Sequence, residues 1–507
     1  MKIEKFKELE EIDKRITMIN HITQILEYDL EVNAPKKASE ERSKQMSWTS
    51  LEAHKLASSR EIEELLKDLG ACDYKEEGEG DTDYQKAIIR RRYKEFVRAN
   101  RIPEKHIKRK REILTLSYDK WVEARNNNDF ESYVPYLEDV VNILRDEASY
   151  IKKENQSLYD ALLDEYEEGA TSKMLDQVFD ELQTNLIPLV KKYSSKNIED
   201  DFLYLKYDET KQEAFAKEIL TEMGFDFDRG TLSLAIHPFT TSLGSDDIRI
   251  TTRYTDPNFN DPLSSTIHEG GHALYEMNAS KGYFKGSSIG EGVSMGIHES
   301  QSRFWENMIL KNPAFWDVWY IKLQNLFPTQ LNSVSKKAFV KAINKVNPSF
   351  IRVNADEVTY SLHIILRYQL EKKLIEGSLE VKDLEKEWNK LYEELFSRKV
   401  DVAKNGCLQD VHWGSGLIGY FPTYALGNLY AAQFSNQMIE DFGMKDLGEI
   451  IKKDGLSKIS EWLDINIHSK GCLYKPEVLV NKITNKTLDA NYFTQYLEKK
   501  LNDIYNE

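Results

Sequence analysis

The sequence has few cysteines and no long apolar run. These two features argue against a disulfide-stabilised protein and a membrane-spanning one. Its three cysteines, Cys72, Cys407 and Cys472, are widely spaced along 507 residues. They cannot form a disulfide framework and they leave an odd thiol, which is typical of a reducing compartment. No window approaches the roughly 18 apolar residues of a membrane span, and the first residues, MKIEKFKELEEIDKRI, lack the apolar region of a signal peptide. We therefore expect a cytosolic protein without a membrane partner.

Negative charge outweighs positive charge. Lysine and arginine number 69 against 85 aspartates and glutamates, so the formal net charge is −16 at pH 7. Binding to nucleic acid through phosphate contacts needs a cationic surface, so we expect no nucleic-acid partner. The one dense basic run, EKHIKRKREI at residues 104–113, has acidic neighbours and indicates a solvated helix face.

Helical periodicity, in contrast, runs through most of the chain. Apolar residues recur at helical spacing in stretches such as ITMINHITQILEYDL (residues 16–30) and VPYLEDVVNILRDEASYI (134–151). The exception is TLSLAIHPFTTSLGSDDIRITTRY (231–254), where β-branched residues flank a Gly-Ser-Asp-Asp turn. We predict a mainly α fold with one small antiparallel β hairpin near 231–254.

The stretch HEGGH places His268, Glu269 and His272 in an H-E-x-x-H pattern. Four residues along an α-helix turn through about 400°, so the two imidazoles project from one face and can reach one ion. Glu269 then lies beside the metal and is not a ligand. The pattern predicts a metal-dependent hydrolase, and the alternative is a pair of histidines that are merely packed or solvated.

The residues around this motif strengthen the helix prediction. Asp261 is expected to cap the helix, with Pro262 at its first position. Gly270 and Gly271 lie inside the motif, and each costs about 1 kcal/mol relative to alanine in a helix. We therefore expect either a close backbone approach or open space at the two glycines.

A catalytic zinc takes three protein ligands and leaves a position for water. Glu299 is the best third candidate, because the glycine-containing stretch NASKGYFKGSS can turn the chain back between the two segments. The alternative for Glu299 is a surface glutamate that binds no metal. The neighbouring His298 should point about 100° away from Glu299 and is a weaker candidate. Glu276, one turn beyond His272, is either a partner that orients this ligand or an exposed helix glutamate.

Two further segments concentrate polar groups among apolar residues. One of them, IRVNADEVTY (residues 351–360), contains Arg352, and arginine suits bidentate recognition of a carboxylate. The other, residues 406–424, contains Gln409, Asp410, His412, Tyr420 and Tyr424. Histidine and tyrosine can donate to a developing oxyanion. Taken alone, each segment is more often a helix-face ion pair or a glycine-rich turn than a functional site.

Six motifs in order resemble the carboxypeptidase Taq family of zinc metallocarboxypeptidases. They are HPF (237–239), DIRIT (247–251), HEGGH (268–272), HESQ (298–301), IRVNAD (351–356) and GCLQDVHW (406–413). The resemblance implies a helical zincin-type peptidase with a long active-site groove, an N-terminal helical lid and a homodimer. It further implies a single domain, with an N-terminal helical half at 1–225 and a catalytic half at 226–507.

The same resemblance assigns roles to individual residues. It implies His268, His272 and Glu299 as ligands of one zinc ion, for which cobalt can substitute, and Glu269 as the catalytic carboxylate. Three further residues would bind substrate: Arg352 would hold the terminal carboxylate of the peptide, and His237 and Arg249 would line the groove.

The expected activity is release of single amino acids from peptide C-termini, with broad specificity that disfavours proline. His412, Tyr420 and Tyr424 remain three candidates for stabilising the oxyanion. One alternative is a zinc endo-oligopeptidase of similar architecture. An aminopeptidase is weakened because a G-x-M-E-N segment is absent. The alternative outside the enzymes is a helical peptide-binding protein with structural zinc, but three ligands with a neighbouring glutamate fit catalysis better.

Overall fold

The protein is built almost entirely from α-helices, as the periodicity predicted. The computed structural model describes residues 2–254 and 257–506. The first α-helices are α1 (Lys2–Val32), α2 (Ser39–Ala57), α3 (Arg60–Asp68), α4 (Asp83–Arg101), α5 (Glu104–Asn127), α6 (Val134–Ile151), α7 (Leu158–Leu163), α8 (Ser172–Tyr193), α9 (Glu209–Met223) and α10 (Asn260–Ala279). The remaining ones are α11 (Met295–Arg303), α12 (Pro313–Leu326), α13 (Pro328–Leu331), α14 (Lys336–Ile343), α15 (Glu357–Glu376), α16 (Leu384–Phe396), α17 (Phe421–Phe442), α18 (Leu447–Lys453), α19 (Gly455–Asn466), α20 (Pro476–Thr484) and α21 (Asn491–Asn506).

The chain forms two compact units, each assembled from three separate stretches. The first unit comprises Met1–Ala99, Ile198–Ile343 and Ala431–Thr487, and the second comprises Asn100–Asn197, Asn344–Tyr430 and Leu488–Glu507. Both units therefore draw on both halves of the sequence. The expected single domain, with halves at 1–225 and 226–507, stays a prediction.

Two expectations about the whole chain can be compared with the structure. Among the described helices, none combines the length and the hydropathy needed to cross a bilayer. All three cysteines carry free thiols, and two of them, Cys407 and Cys472, are buried.

The predicted hairpin is part of a small mixed sheet in the first unit. Its strands are β1 (Gly230–Leu234), β2 (Thr240–Ser242) and β3 (Ile248–Thr252), in the order β1-β3-β2. Strands β2 and β3 are antiparallel, and the turn between them is closed where the Leu243 amide donates to the Asp247 carbonyl at 2.8 Å. The predicted antiparallel hairpin is therefore confirmed for β2 and β3.

The prediction was wrong for β1, which pairs with β3 in parallel. After Leu234 the chain crosses the end of β3 in residues 235–239, so β2 begins on the opposite side of β3 from β1. The Ala235 amide donates to the Thr252 carbonyl at 3.0 Å during this crossing. Alternating side chains and a turn motif report local pairing, but they do not report strand order.

Helix α10 carries the HEGGH motif and begins at Asn260, one residue before the expected cap. The N-cap position is Phe259, so Asp261 lies inside the first turn and the prediction that it is the cap residue was wrong. The Asn258 side chain accepts a hydrogen bond from the Asn260 amide at 2.9 Å. Pro262 is in the first turn, where its missing N–H is tolerated because those amides have no partner within the helix.

The two glycines of the motif lie where neighbouring helices approach α10. A Cβ atom at Gly271 would lie 2.6 Å from the backbone oxygen of Gln301 and 2.7 Å from the Cα atom of Ser302, both in α11. A Cβ atom at Gly270 would lie 2.4 Å from a terminal methyl group of Leu220 in α9. Of the two expectations for these glycines, close approach is confirmed.

These contacts predict different effects for two adjacent substitutions. Gly271→Ala should destabilise the protein by about 1–3 kcal/mol, because the new methyl group meets the backbone of α11, which cannot rotate away. Gly270→Ala is the matched control, since its methyl group meets the flexible end of a leucine and alanine favours the helix by about 1 kcal/mol. Urea unfolding of both variants measures the difference, and equal free energies of unfolding would contradict this account.

Candidate metal centre and active site

Two adjacent helices bring the predicted metal ligands together. His268 and His272 project from α10, and Glu299 projects from α11. The Oε2 atom of Glu299 lies 3.6 Å from Nε2 of His268 and 3.4 Å from Nε2 of His272. One ligand atom from each of the three residues lies within 4.8 Å of the others. The predicted grouping of these three residues is therefore present.

The donor set fits a divalent metal ion. Zinc binds imidazole nitrogen and carboxylate oxygen at about 2.0–2.2 Å with tetrahedral angles, which separates ligand atoms by about 3.3–3.5 Å. The observed separations of 3.4 and 3.6 Å are close to this range. Within the described residues, no further histidine, cysteine, aspartate or glutamate joins the group. Three protein ligands are the number that a catalytic site uses.

Charged side chains form hydrogen bonds with two of the candidate ligands. Directly after α11, a π-helical segment (Phe304–Leu310) carries Glu306, whose Oε2 lies 2.9 Å from Nδ1 of His268. Arg303 donates to Glu299 Oε1 at 2.7 Å and to Glu306 Oε2 at 3.1 Å. These contacts orient the candidate ligands, because a hydrogen bond at the outer nitrogen of a metal-bound histidine fixes its tautomer and ring position.

The charge of Arg303 also governs how its two partners ionise. Burial raises the pKa of Glu299 and of Glu306, but Arg303 together with the neighbouring histidines and, for Glu306, Lys311 outweighs burial, so both pKa values lie well below the usual range. Both carboxyl groups are therefore ionised at neutral pH, which is the form that binds a cation.

His272 is oriented through a second histidine. Its Nδ1 atom lies 2.5 Å from Nδ1 of His298, and Nε2 of His298 lies 2.7 Å from Oε1 of Glu276. His298 is outside the ligand group, as its position on the helix predicted. Glu276 is buried, so the exposed alternative for this residue is wrong. It acts on His272 only through His298. Burial lowers the pKa of His272 to about 3, which keeps it neutral and able to bind metal.

Glu269 lies next to the ligand group without joining it. Its Oε2 atom accepts a hydrogen bond of 2.6 Å from the hydroxyl of Thr240 in β2. Burial raises the pKa of Glu269 above its usual value. A carboxylate that is fixed by a hydrogen bond and has a raised pKa can accept and release a proton near neutral pH.

His237 and Arg249 both belong to the sheet region of the first unit. His237 is exposed in the segment that crosses the end of β3. Arg249 in β3 forms a two-pronged ion pair with Asp247, at 2.8 and 2.9 Å, and its guanidinium lies 4.7 Å from the ring centre of Tyr28 in α1. Two groups of this chain therefore already fix the guanidinium of Arg249.

In the second unit, one carboxylate joins two buried arginines. Arg352 donates to Oδ1 of Asp410 at 3.1 and 2.9 Å, and Arg367 of α15 donates to Oδ2 at 2.7 Å. Tyr360 lies 3.1 Å from Nη1 of Arg352. Burial alone raises the pKa of Asp410, but the two guanidinium groups outweigh it and hold this pKa well below its usual range. The three groups together carry one excess positive charge.

The remaining candidates cluster around this arginine. His412, Tyr420 and Tyr424 contact one another through their rings, with centroid distances of 5.2 to 6.3 Å. The guanidinium of Arg352 lies 5.2 Å from the ring centre of Tyr424. Burial, followed by the charge of Arg352, lowers the pKa of His412 to about 4. At neutral pH this imidazole is therefore uncharged and donates from only one nitrogen.

Gln409 has a structural place in the same cluster. Its Oε1 atom accepts a hydrogen bond from the Arg352 amide at 2.8 Å, and its Nε2 atom donates to the Phe350 carbonyl at 3.1 Å. Gln409 therefore fixes the backbone that carries Arg352.

Sequence reasoning missed several residues of these clusters. Arg303 and Glu306 follow Glu299 at four and seven residues, so helical spacing could have found them. Thr240 and Arg367 reach their partners across distant parts of the chain, at separations of 29 and 43 residues. No local pattern in the sequence reports those two contacts.

The contact between Glu306 and His268 predicts a role in metal binding. Glu306→Gln keeps the size of the side chain but removes its charge, so affinity for zinc should fall about 10- to 100-fold. Competition with a chromophoric chelator measures this affinity. Glu222→Gln, at an exposed position of α9, is the control and should bind zinc as the parent does. Unchanged affinity in Glu306→Gln would contradict the assigned role.

Comparison with known proteins places the chain in a family. The family model described as "Carboxypeptidase Taq (M32) metallopeptidase" matches residues 8–501. Carboxypeptidase 1 of Bacillus subtilis is 36% identical over 501 residues, covering 98% of each chain. Thermostable carboxypeptidase 1 of Thermus thermophilus is 34% identical over 511 residues, covering 99% of each.

Comparison with solved structures indicates the same family. The crystal structure of a carboxypeptidase of the same family from Deinococcus radiodurans superimposes with a TM-score of 0.93 at 34% identity, covering 99% of this chain and 100% of that one. A carboxypeptidase structure from Pyrococcus furiosus gives 0.92 at 35% identity, covering 98% and 99%. The chain therefore belongs to the carboxypeptidase Taq family of metallopeptidases, and it is a metal-dependent carboxypeptidase.

Proposed function

We propose that this metallocarboxypeptidase uses zinc to release single amino acids from the C-termini of peptides, with broad side-chain preference and little action next to proline. The observation that carries the proposal is the grouping of His268, His272 and Glu299 with Glu269 at its side. Cobalt, which accepts similar ligands, is expected to substitute for zinc.

Glu269 is the proposed general base. A bound metal ion supplies Lewis acidity that polarises a water molecule and the scissile carbonyl group. Glu269 takes a proton from this water and then delivers it to the leaving amine, work that contributes about 10²–10⁴ in rate. Its hydrogen bond from Thr240, at 2.6 Å, holds one carboxylate oxygen and fixes the direction of the other.

Arg352 is the proposed partner of the substrate's terminal carboxylate. Its group with Arg367 and Asp410 contains two guanidinium groups and one carboxylate, and this excess of positive charge favours an anionic ligand. Asp410 accepts hydrogen bonds from Nε and Nη2 of Arg352, and the Tyr360 hydroxyl lies beside Nη1. A guanidinium held in this way is already oriented for a carboxylate ligand. His237 and Arg249 are proposed to contact the peptide elsewhere along its length.

The oxyanion of the tetrahedral intermediate needs a hydrogen-bond donor. His412, Tyr420 and Tyr424 are the proposed candidates, because each can donate and the three rings contact one another beside Arg352, which lies against Tyr424. The low pKa of His412 makes it a neutral donor across the physiological range. The homodimer and the cytosolic location are proposed from the family resemblance and the composition.

The role of Glu269 predicts a specific variant. Glu269→Gln should lower kcat by at least about 10²-fold, because the amide cannot accept the proton of water. Its zinc content should stay at that of the parent, since Glu269 is not a ligand. Metal analysis and peptide hydrolysis measured on the same preparation separate the two effects. Full activity in this variant would refute the mechanism.

The role of Arg352 is tested with two peptides that differ only at the C-terminus. For the free acid, Arg352→Ala should reduce kcat/KM about 10- to 100-fold, since a charge-assisted hydrogen bond contributes about 1.5–3 kcal/mol. The parent enzyme should leave the C-terminally amidated peptide almost intact.

Mass spectrometry of the products tests the proposed function as a whole. A ladder shortened from the C-terminus agrees with the proposal, internal fragments would instead indicate an endo-oligopeptidase, and intact peptide would indicate a binding protein with structural zinc.

A further inference from the structure

A fully buried carboxylate in the second unit has no role in the proposed chemistry. Glu371 of α15 is 0% exposed and accepts three hydrogen bonds. Its Oε1 atom accepts from the Tyr159 hydroxyl at 2.7 Å and from the Gly419 amide at 3.1 Å. Its Oε2 atom accepts from the indole nitrogen of Trp413 at 2.9 Å. A carboxyl group buried this completely is expected to be tied to its surroundings by such bonds.

The donors from the segment 406–420 adjoin the candidate catalytic side chains. Trp413 directly follows His412, and Gly419 directly precedes Tyr420. One carboxylate therefore binds both ends of the loop that separates His412 from Tyr420. Fixing two points of a loop with one rigid group sets the distance between them.

Two further contacts show that this loop packs tightly at the same points. Gly419 has φ of +91°, and a Cβ atom there would lie 3.0 Å from the Leu163 amide nitrogen in α7. A Cβ atom at Gly414 would lie 2.3 Å from the hydroxyl of Tyr133. The loop therefore has little room to shift while Glu371 holds it.

We propose that Glu371 is a positioning residue that clamps the segment 406–420 and so fixes the relative placement of His412 and Tyr420. This inference rests on the proposed function for the roles of those two side chains. The clamp itself depends only on the three hydrogen bonds of the carboxylate.

The ionisation of Glu371 gives the clamp a dependence on pH. Burial raises the pKa of Glu371 to about 7, and the three hydrogen bonds oppose this effect. The charged and titratable groups that interact with it are Arg367 and Tyr368 of α15 and Tyr159 of α7. Since protonation removes one accepting site, the clamp is strongest above pH 7 and weakens as the pH falls through 7.

Hydrogen exchange on the metal-loaded enzyme tests the clamp without reference to activity. In Glu371→Gln, amides of residues 410–420 should exchange at least about tenfold faster than in the parent, because the glutamine side chain cannot accept from all three donors. Below pH 7 the parent should lose protection in this segment, after correction for intrinsic rates, and the variant should show no such change. Glu394→Gln, at an exposed position of α16, is the control and should match the parent.

Kinetics then separate positioning from folding. Glu371→Gln should lower kcat about 10- to 100-fold, leave affinity for zinc unchanged and change KM by less than about threefold. Tyr159→Phe and Trp413→Phe each remove one donor, keep the carboxylate and should show smaller changes in the same direction. They keep the test valid if Glu371→Gln does not fold.

The outcomes distinguish the clamp from the proposed function. Parent-like exchange in Glu371→Gln, or in both donor variants if Glu371→Gln does not fold, would overturn the clamp. Faster exchange with an unchanged kcat would support the clamp and overturn the assigned roles of His412 and Tyr420. Faster exchange together with a lower kcat supports both.

Discussion

The close contact between α10 and α11 is the constraint on which the proposed metal centre depends. His268 and His272 can converge from one helix by spacing alone, but Glu299 comes from another helix and must be brought within 3.6 Å of both. Gly271 permits this, because its missing side chain lets the backbone of Gln301 approach. A side chain at this position would move the third ligand away from the other two. The three candidate ligands can therefore converge only because the two helices pack closely at Gly271.

The two polar clusters use opposite arrangements of the same charges. In the first unit, Arg303 lies between the carboxylates of Glu299 and Glu306, and in the second, Asp410 lies between the guanidinium groups of Arg352 and Arg367. The first arrangement keeps two carboxylates ionised beside the two histidines of the proposed metal site. The second leaves an excess positive charge that suits an anion. Burial strengthens both effects, because charges interact more strongly away from water.

Sequence reasoning predicted the parts of this protein that depend on local spacing. Helical periodicity predicted the fold class, and the H-E-x-x-H pattern predicted that His268 and His272 share one helix face. Sequence reasoning did not predict the strand order, because β2 joins β3 on the side opposite β1 only after the chain has crossed the end of β3. The bond from Thr240 to Glu269 was equally hidden, since it joins a strand to a helix across 29 residues. Local patterns report periodicity, whereas these contacts arise from tertiary packing.

The hydroxyl of Thr240 has a consequence for how Glu269 changes charge. A hydroxyl group has a single hydrogen, yet two oxygens of Glu269 lie within its reach, the side-chain Oε2 at 2.6 Å and the backbone carbonyl at 3.1 Å. When the carboxylate accepts a proton, the hydroxyl can turn to the carbonyl and lose no bond. The strand therefore gives Glu269 a hydroxyl partner that keeps a hydrogen bond in either protonation state, so proton exchange does not leave this hydroxyl unpaired.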